Sequence, residues 1–185
     1  MIPGTKVNLW ALERFDLVKN FQWANDREVI FWAGMSPYPK HMVELERWYE
    51  NVLNNPNGRV FAIKTKEGEY IGNIELSAID WRLSRGELGL IIGEKDYWEK
   101  GYGEDSVNAL LGFSFSELNL HRISLTAIEF NKRAIRCFEK CGFRKEGSLR
   151  EAYYCNGRYW DVLLMAVLRQ EYEEAHAKEE EEAKE

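Results

Sequence analysis

Cysteine and histidine are scarce in this chain, which has 185 residues and only three of each. Cys137, Cys141 and Cys155 form no CxxC pair, and the histidines are scattered, so the sequence argues against a zinc site. An odd and small number of cysteines is typical of a reducing compartment. We therefore expect a cytoplasmic protein that holds no metal ion.

Long apolar runs and an excess of basic residues are also missing. No stretch of about 20 uncharged apolar residues occurs, and no basic segment leads into an apolar run near residue 1. We therefore expect no membrane span and no signal peptide. The formal net charge is -6, and residues 171–185 contain eight acids and two lysines, so residues 1–170 are neutral. This balance predicts no nucleic-acid partner.

The material for a hydrophobic core is present, since 45% of the residues are hydrophobic and 14% are aromatic. The length suits one sizeable domain, and no linker rich in Pro, Gly or Ser divides the chain. We predict a single domain over residues 1–170. The acidic tail over residues 171–185 is expected to form a frayed or partly disordered helix.

Hydrophobic periodicity and turn signals predict an α+β protein. Asn131 is a good N-cap for a helix, Gly142 can end that helix in a left-handed conformation, and Asn156-Gly157 is a hairpin-turn signal. The predicted strands cover residues 7–9, 60–64, 70–76, 87–92, 122–128, 147–154 and 159–168. The predicted helices cover residues 16–32 (interrupted near 25–26), 41–54, 106–115 and 132–141.

A loop with two glycines, Gly101 and Gly103, lies between a predicted buried strand and a predicted helix. Such a loop can bind an anion, because glycine lets the backbone approach closely and the first helical N–H groups are unpaired. The loop lacks the third glycine of GxGxxG, since Ser106 occupies that position, and it lacks the Gly-Lys-Ser/Thr ending of a P-loop. The sequence alone thus predicts a phosphorylated cofactor of unspecified type.

Several motifs together resemble the GNAT acyl-CoA N-acyltransferases, in the branch of ribosomal-protein N-terminal and spermidine N-acetyltransferases. The resemblance covers nearly all of residues 1–170. It implies the GNAT fold, which is a mixed and mostly antiparallel sheet flanked by helices and splayed at its central strands. The motifs that carry it lie at residues 7–9, 23–26, 28–29, 71–74, 87–93, 97–103, 118–123, 131–136, 141–143, 146–147 and 157–161.

The resemblance implies acetyl-CoA as the cosubstrate and no metal ion. The pantetheine arm would lie along the strand, and the pyrophosphate would lie at the loop. Trp98 departs from the family pattern Arg/Gln-x-x-Gly-x-Gly/Ala, and Lys100 can supply a positive charge instead. The residues that the resemblance assigns to the cofactor are Leu90, Ile91, Ile92, Trp98, Glu99, Lys100, Gly101, Tyr102, Gly103, Asn131, Ala134 and Phe138.

The implied chemistry is direct attack of an amine on the thioester, with no covalent enzyme intermediate. An alkylamine is mostly protonated at neutral pH, so a base should help. Glu87 is the first candidate and Glu75 the second. Many relatives place a proton-donating Tyr where Phe138 stands here, so the proton donor is open between Cys137, a water and one of three tyrosines: Tyr153, Tyr154 or Tyr159. The remaining alternative is that the thiolate leaves without a proton donor, since the CoA thiol is a tolerable leaving group.

The acceptor amine is the least specified part of the sequence. Branch resemblance favours a protein or peptide N-terminus of the ribosomal-protein type. The alternatives are a polyamine of the spermidine type, bound by Glu28, Glu75, Asp80 and Glu87, an amino sugar or antibiotic, and a non-catalytic acyl-CoA sensor. Walls of the acceptor site are expected from Trp32, Trp48 and Trp81. The expected partners are a small-molecule or peptide amine, with a homodimer as a possible assembly.

Overall fold

The computed structural model describes residues 1–182, and within this range eight strands form one continuous sheet. The strand order is β1-β2-β3-β4-β5-β6-β8-β7, and only the β5–β6 pair is parallel. The sheet is therefore mixed and mostly antiparallel, as expected. The strands are β1 Ile2–Pro3, β2 Val7–Ala11, β3 Arg59–Thr65, β4 Tyr70–Asp80, β5 Arg85–Ile92, β6 Arg122–Ile128, β7 Arg144–Cys155 and β8 Arg158–Leu168.

Side-chain caps set the bounds of the short helices. The Asp26 carboxylate accepts hydrogen bonds from the backbone N–H groups of Glu28 and Val29, which ends the first helical segment and starts the next. Asn131 caps α5, and Gly142 follows that helix with a φ of +89°. The helices are α1 Leu17–Ala24, α2 Arg27–Ala33, α3 Met42–Asn54, α4 Tyr102–Ser116, α5 Lys132–Lys140 and α6 Arg169–Glu182.

The structure moves one predicted boundary that matters for function. Helix α4 begins at Tyr102 rather than near Ser106, so Gly103 belongs to its first turn. Helix α6 begins at Arg169, and the predicted tail beyond residue 182 lies outside the described residues. The division into one domain over 1–170 and a tail from 171 stays a prediction.

Two hydrophobic cores lie on the two faces of the sheet, and β3 shows why. Phe61 and Ile63 pack into the larger core with the buried face of α4, whereas Val60 and Ala62 pack into the smaller core with α1–α3. This alternation follows from the two-residue period of a strand.

In residues 1–182 no helix is long and apolar enough to cross a membrane. The same residues contain no group of three or more His, Cys, Asp or Glu placed to hold a metal ion.

Candidate functional site

An opening between β5 and β6 forms the base of the site. The two strands pair at only three positions, the last of which joins Glu87 to Ser124. On its other side β5 stays paired with β4 as far as Ile92. The expected splay at the central strands is therefore confirmed. Beyond the last pair, this edge of the β5 backbone is open to pairing with an extended ligand, except at the Ile92 carbonyl, which accepts a 2.7 Å hydrogen bond from Trp98 Nε1.

The first cavity, of about 320 Å³, lies between β5, the glycine loop and α5, and we call it the donor cavity. Two residues assigned to the cofactor do not line it. Lys100 points outward and its carbonyl accepts a 2.8 Å hydrogen bond from Lys6 Nζ, while the Tyr102 ring packs edge-on against Tyr97. The other assigned residues do line it: Leu90, Ile91, Ile92, Trp98, Glu99, Gly101, Gly103, Asn131, Ala134 and Phe138.

The glycine loop has the geometry of an anion site. Gly101 precedes α4 with a φ of +82°, which non-glycine residues rarely adopt, and this turn aims the first amides of α4 at the donor cavity. The two acids of the first turn are both engaged by protein groups. The Asp105 carboxylate accepts three 2.8 Å hydrogen bonds from the backbone N–H groups of residues 5–7. Glu104 lines the donor cavity, where it pairs with Lys140 at 3.4 Å.

Helix α5 contributes cations that the sequence analysis missed. Arg133, Arg136 and Lys140 line the donor cavity opposite the glycine loop. Their spacing of three and four residues places them on one face of the helix, and this spacing is the sequence signal that could have revealed them. Phosphate groups suit this combination of helix amides and cations. The donor cavity therefore fits the phosphate-rich part of coenzyme A.

The second cavity, of about 730 Å³, lies against β4, β5 and α3, and we call it the acceptor cavity. It shares Leu90, Asn131 and Phe138 with the donor cavity, so the two meet at the splay. Asn131 is held at this junction by two bonds. Its Nδ2 donates to the Trp32 carbonyl at 2.7 Å, and its Oδ1 accepts from Ala134 N at 3.1 Å.

Three carboxylates line the acceptor cavity: Glu44, Glu75 and Glu87. Glu44 was not anticipated from the sequence. Two acids considered for a polyamine site lie elsewhere. Glu28 pairs with Lys95 at 2.9 Å, and Asp80 caps the β4–β5 turn by accepting from Leu83 N at 3.0 Å.

The Glu75 carboxylate has an unusual environment for an acid. It is half-buried, and within residues 1–182 no hydrogen bond or ion pair engages it. Burial raises its pKa above the usual range, and the nearby negative charge of Glu87 raises it further. Glu87 itself is exposed at the rim of the cavity. The structure thus brings the two candidate bases together and gives them different environments.

Aromatic residues form the walls of the acceptor cavity. Trp23, Trp32 and Trp48 line it, whereas Trp81 sits at the exposed β4–β5 turn and does not. Among the candidate proton donors, Tyr153 lines the acceptor cavity and Cys137 lines the donor cavity.

The other two candidate tyrosines lie away from the site. Tyr154 and Tyr159 are each 61% exposed and pack on one another outside both cavities. Phe138 is buried against Phe143, with ring centroids 5.9 Å apart. Burial raises the pKa of Tyr153, and Cys155 adds to that shift.

Comparison with known proteins agrees with this geometry. The family described as "Acetyltransferase (GNAT) domain" matches residues 6–144. Spermidine N(1)-acetyltransferase of Vibrio cholerae serotype O1 is 33% identical over 91% of this chain and 96% of its own length. The enzyme of the same name from Escherichia coli K12 is 30% identical over 95% of this chain and 93% of its own length.

A solved structure gives the same result for the fold. The spermidine N-acetyltransferase from Vibrio cholerae, in complex with CoA and spermine, superposes with a TM-score of 0.84. It has 33% sequence identity, and the match covers 91% of this chain and 98% of that chain. The predicted fold and family resemblance are therefore confirmed.

The lead acceptor expected from the sequence is wrong. Branch resemblance favoured a protein or peptide N-terminus, but the Vibrio cholerae and Escherichia coli relatives, which are 30% or more identical over nearly their whole length, are named for spermidine. The motifs on which the expectation rested match a branch that contains both kinds of enzyme. They therefore do not distinguish the two acceptors, even though Trp23, Ala24 and Asn73 among them line the acceptor cavity.

Proposed function

This chain belongs to the GNAT acetyltransferase family and is an acetyl-CoA-dependent N-acetyltransferase, and we propose that its acceptor is a polyamine of the spermidine type. The observation that carries the proposal is the acceptor cavity, with three carboxylates and no bound counter-ion for Glu75 and Glu87 among residues 1–182. Glu44 alone of the three is paired, with Lys40 at 3.4 Å.

Carboxylates and aromatic walls are complementary to a polyamine. Such a ligand carries several ammonium groups at neutral pH, separated by short aliphatic chains. Carboxylates pair with the ammonium groups, and the Trp23, Trp32 and Trp48 rings contact both the aliphatic segments and the cations. A peptide N-terminus carries one ammonium and offers backbone polar groups instead, so it uses this cavity less well.

The donor side fits its cosubstrate through backbone and cation contacts. The first amides of α4 and the cations of α5 hold the phosphates, and the free edge of β5 holds the pantetheine amides. Acetyl-CoA supplies the acetyl group as a thioester. A backbone N–H at the splay stabilises the negative charge on the thioester oxygen.

Glu75 takes the proton of the attacking ammonium in this proposal, because its raised pKa brings it closer to the working pH of a base. The N–H bond breaks and an O–H bond forms on Glu75. The neutral amine nitrogen then bonds to the acetyl carbon as the carbon–sulfur bond breaks. Glu87, at the exposed rim, binds a second ammonium group of the acceptor.

Tyr153 donates a proton to the leaving sulfur in this scheme. It is the tyrosine that lines the acceptor cavity within the described residues, and its raised pKa keeps the phenol protonated. The proton that remains on the new amide nitrogen returns to the Tyr153 oxygen. The products are the N-acetylated polyamine and the free thiol, and Glu75 releases its proton to water.

Thiol release from acetyl-CoA tests the proposal against spermidine, spermine, an amino sugar and an N-terminal peptide. We expect turnover with the polyamines and a raised KM for spermidine in Glu87→Gln. Glu46→Gln is the matched control, since Glu46 is exposed on α3 and lines neither cavity. The proposal fails if no polyamine is acetylated, or if Glu87→Gln behaves as Glu46→Gln does.

A further inference from the structure

The side chain of Glu75 fills the space in which any residue other than glycine at position 89 would place its side chain. The two residues face each other in the β4–β5 ladder. A Cβ atom added to Gly89 would lie 2.7 Å from Glu75 Oε1 and 2.8 Å from Glu75 Cγ. Any other residue at position 89 would therefore have to push the Glu75 side chain aside.

Gly89 lies on the part of β5 that is close to the junction of the two cavities. Gly89 lies two residues beyond the last β5–β6 pair, so it is on the part of β5 that borders the splay. Both Glu75 and Gly89 line the acceptor cavity, and the next residue, Leu90, lines both cavities. By crossing Gly89, the carboxylate leaves its own strand and approaches the place where the two cavities meet.

We propose that Gly89 is a positioning residue for acetyl transfer: its missing side chain lets the Glu75 carboxylate reach across β5 to the junction of the donor and acceptor cavities. This proposal rests on the proposed function of Glu75. It adds that the reach of the base is set by position 89 and not by Glu75 alone. The proton moves as described above, from the ammonium nitrogen to the Glu75 oxygen.

The other glycine of β5 serves as the contrast. A Cβ atom added to Gly86 would meet the Leu76 side chain at 3.0 Å and Ile79 at 3.7 Å, both in the hydrophobic core. No carboxylate stands among those contacts. Gly86 is therefore a packing glycine in the same strand, and Gly86→Ala is a matched control for the effect of an added methyl group on β5.

A double-mutant cycle with spermidine and acetyl-CoA tests the proposal. We expect Gly89→Ala to lower kcat about 10- to 100-fold, a part of the ~100-fold or larger contribution of a general base, with KM for acetyl-CoA within about 3-fold. In a Glu75→Ala background, Gly89→Ala should change kcat by less than about 2-fold, because the group that it displaces is already gone. Gly86→Ala should leave kcat unchanged. Full activity of Gly89→Ala, or an equal loss in both backgrounds, would overturn the proposal.

A titration without substrate separates this proposal from the proposed function. Carboxyl ¹³C NMR of the folded protein would follow Glu75 in the wild type and in Gly89→Ala. We expect the pKa of Glu75 to fall toward its ordinary value in the variant, because the methyl group pushes the carboxylate into solvent. An unchanged pKa would overturn the role of Gly89. Failure of the wild type to acetylate spermidine would overturn the proposed function alone, and the titration would still decide whether position 89 places the carboxylate.

Discussion

The guanidinium carbon of Arg133 lies 4.2 Å from the ring centroid of Trp98. Trp98 departs from the family pattern that the sequence resemblance implies, which has Arg or Gln at this place in the loop. Its indole Nε1 donates a 2.7 Å hydrogen bond to the Ile92 carbonyl. Arg133 on α5 therefore supplies, beside the loop, the positive charge that an Arg at position 98 would carry. The indole holds the guanidinium at the wall of the donor cavity through a cation–π contact.

Replacing Arg133 should weaken the binding of acetyl-CoA. A hydrogen bond to a charged group contributes about 1.5–3 kcal/mol, so we expect Arg133→Gln to raise the Kd for acetyl-CoA about 10- to 100-fold. Isothermal titration calorimetry measures this value directly. Arg82→Gln, at the exposed β4–β5 turn, should leave Kd unchanged. Equal affinity in Arg133→Gln and Arg82→Gln would mean that Arg133 holds no phosphate.

Substitutions at Gly103 should move stability and binding in opposite directions. An added Cβ would lie 3.4 Å from Leu90 Cδ2 and 3.6 Å from Cys137 Sγ, which are ordinary contacts. Because Gly103 lies in the first turn of α4, Gly103→Ala should raise the free energy of unfolding by up to about 1 kcal/mol.

The affinity for acetyl-CoA should fall when Gly103 is replaced. The added methyl group fills part of the phosphate cradle, so the affinity of Gly103→Ala for acetyl-CoA should fall. Gly103→Glu should abolish binding, because it adds bulk and a negative charge. Urea unfolding and calorimetry measure the two effects, and wild-type affinity in Gly103→Glu would place the pyrophosphate site elsewhere.

The pH dependence of the reaction should report the Glu75–Glu87 pair. Glu75 must lose its proton to act as a base, so the rate should rise with pH through the raised pKa of Glu75. Glu87→Gln removes a negative charge that raises this pKa, so the rising limb of the kcat profile should shift to lower pH. Glu75→Gln should lose the limb. An unshifted limb in Glu87→Gln would show that the two carboxylates are not coupled.

Asn20 and Asn73, which line the acceptor cavity, form a closed ring of hydrogen bonds with Tyr70. The Tyr70 hydroxyl donates to Asn73 Oδ1 at 2.6 Å, Asn73 Nδ2 donates to Asn20 Oδ1, and Asn20 Nδ2 donates to the Tyr70 oxygen at 2.7 Å. Tyr70→Phe removes the donor to Asn73 Oδ1 and one of the two acceptors of Asn20 Nδ2, which keeps its 3.1 Å bond to the Asp16 carbonyl. We expect a loss of about 1–3 kcal/mol in the free energy of unfolding. Urea denaturation measures it, and Tyr154→Phe, at an exposed ring, is the control. Equal free energies of unfolding for the two variants would show that the ring of hydrogen bonds does not stabilise the fold.

The donor half of the site could be predicted from the sequence because its determinants are local. Gly101 and Gly103 lie within three residues, Asn131 caps the helix that follows it, and the strand before the loop is continuous. Local motifs of this kind fix backbone geometry through turns and helix ends. They therefore indicated the fold and the cosubstrate together.

The acceptor half could not be predicted in the same way, because it is assembled from distant segments. Glu44 on α3 meets Glu75 and Glu87 only after the helices pack on the sheet. Glu28 and Asp80 looked equivalent to them in the sequence, yet Glu28 pairs with the distant Lys95, and Asp80 accepts a hydrogen bond within the β4–β5 turn. The contact between Glu75 and Gly89 depends on strand register, which residue types alone do not give.

A single reaction tests the central claim most directly. Acetyl-CoA, spermidine and an equal concentration of a peptide with a free N-terminus are incubated with the protein, and mass spectrometry identifies which amine gains an acetyl group. The acceptor cavity predicts acetylspermidine and an unmodified peptide. Acetylation of the peptide with spermidine left intact would contradict the account.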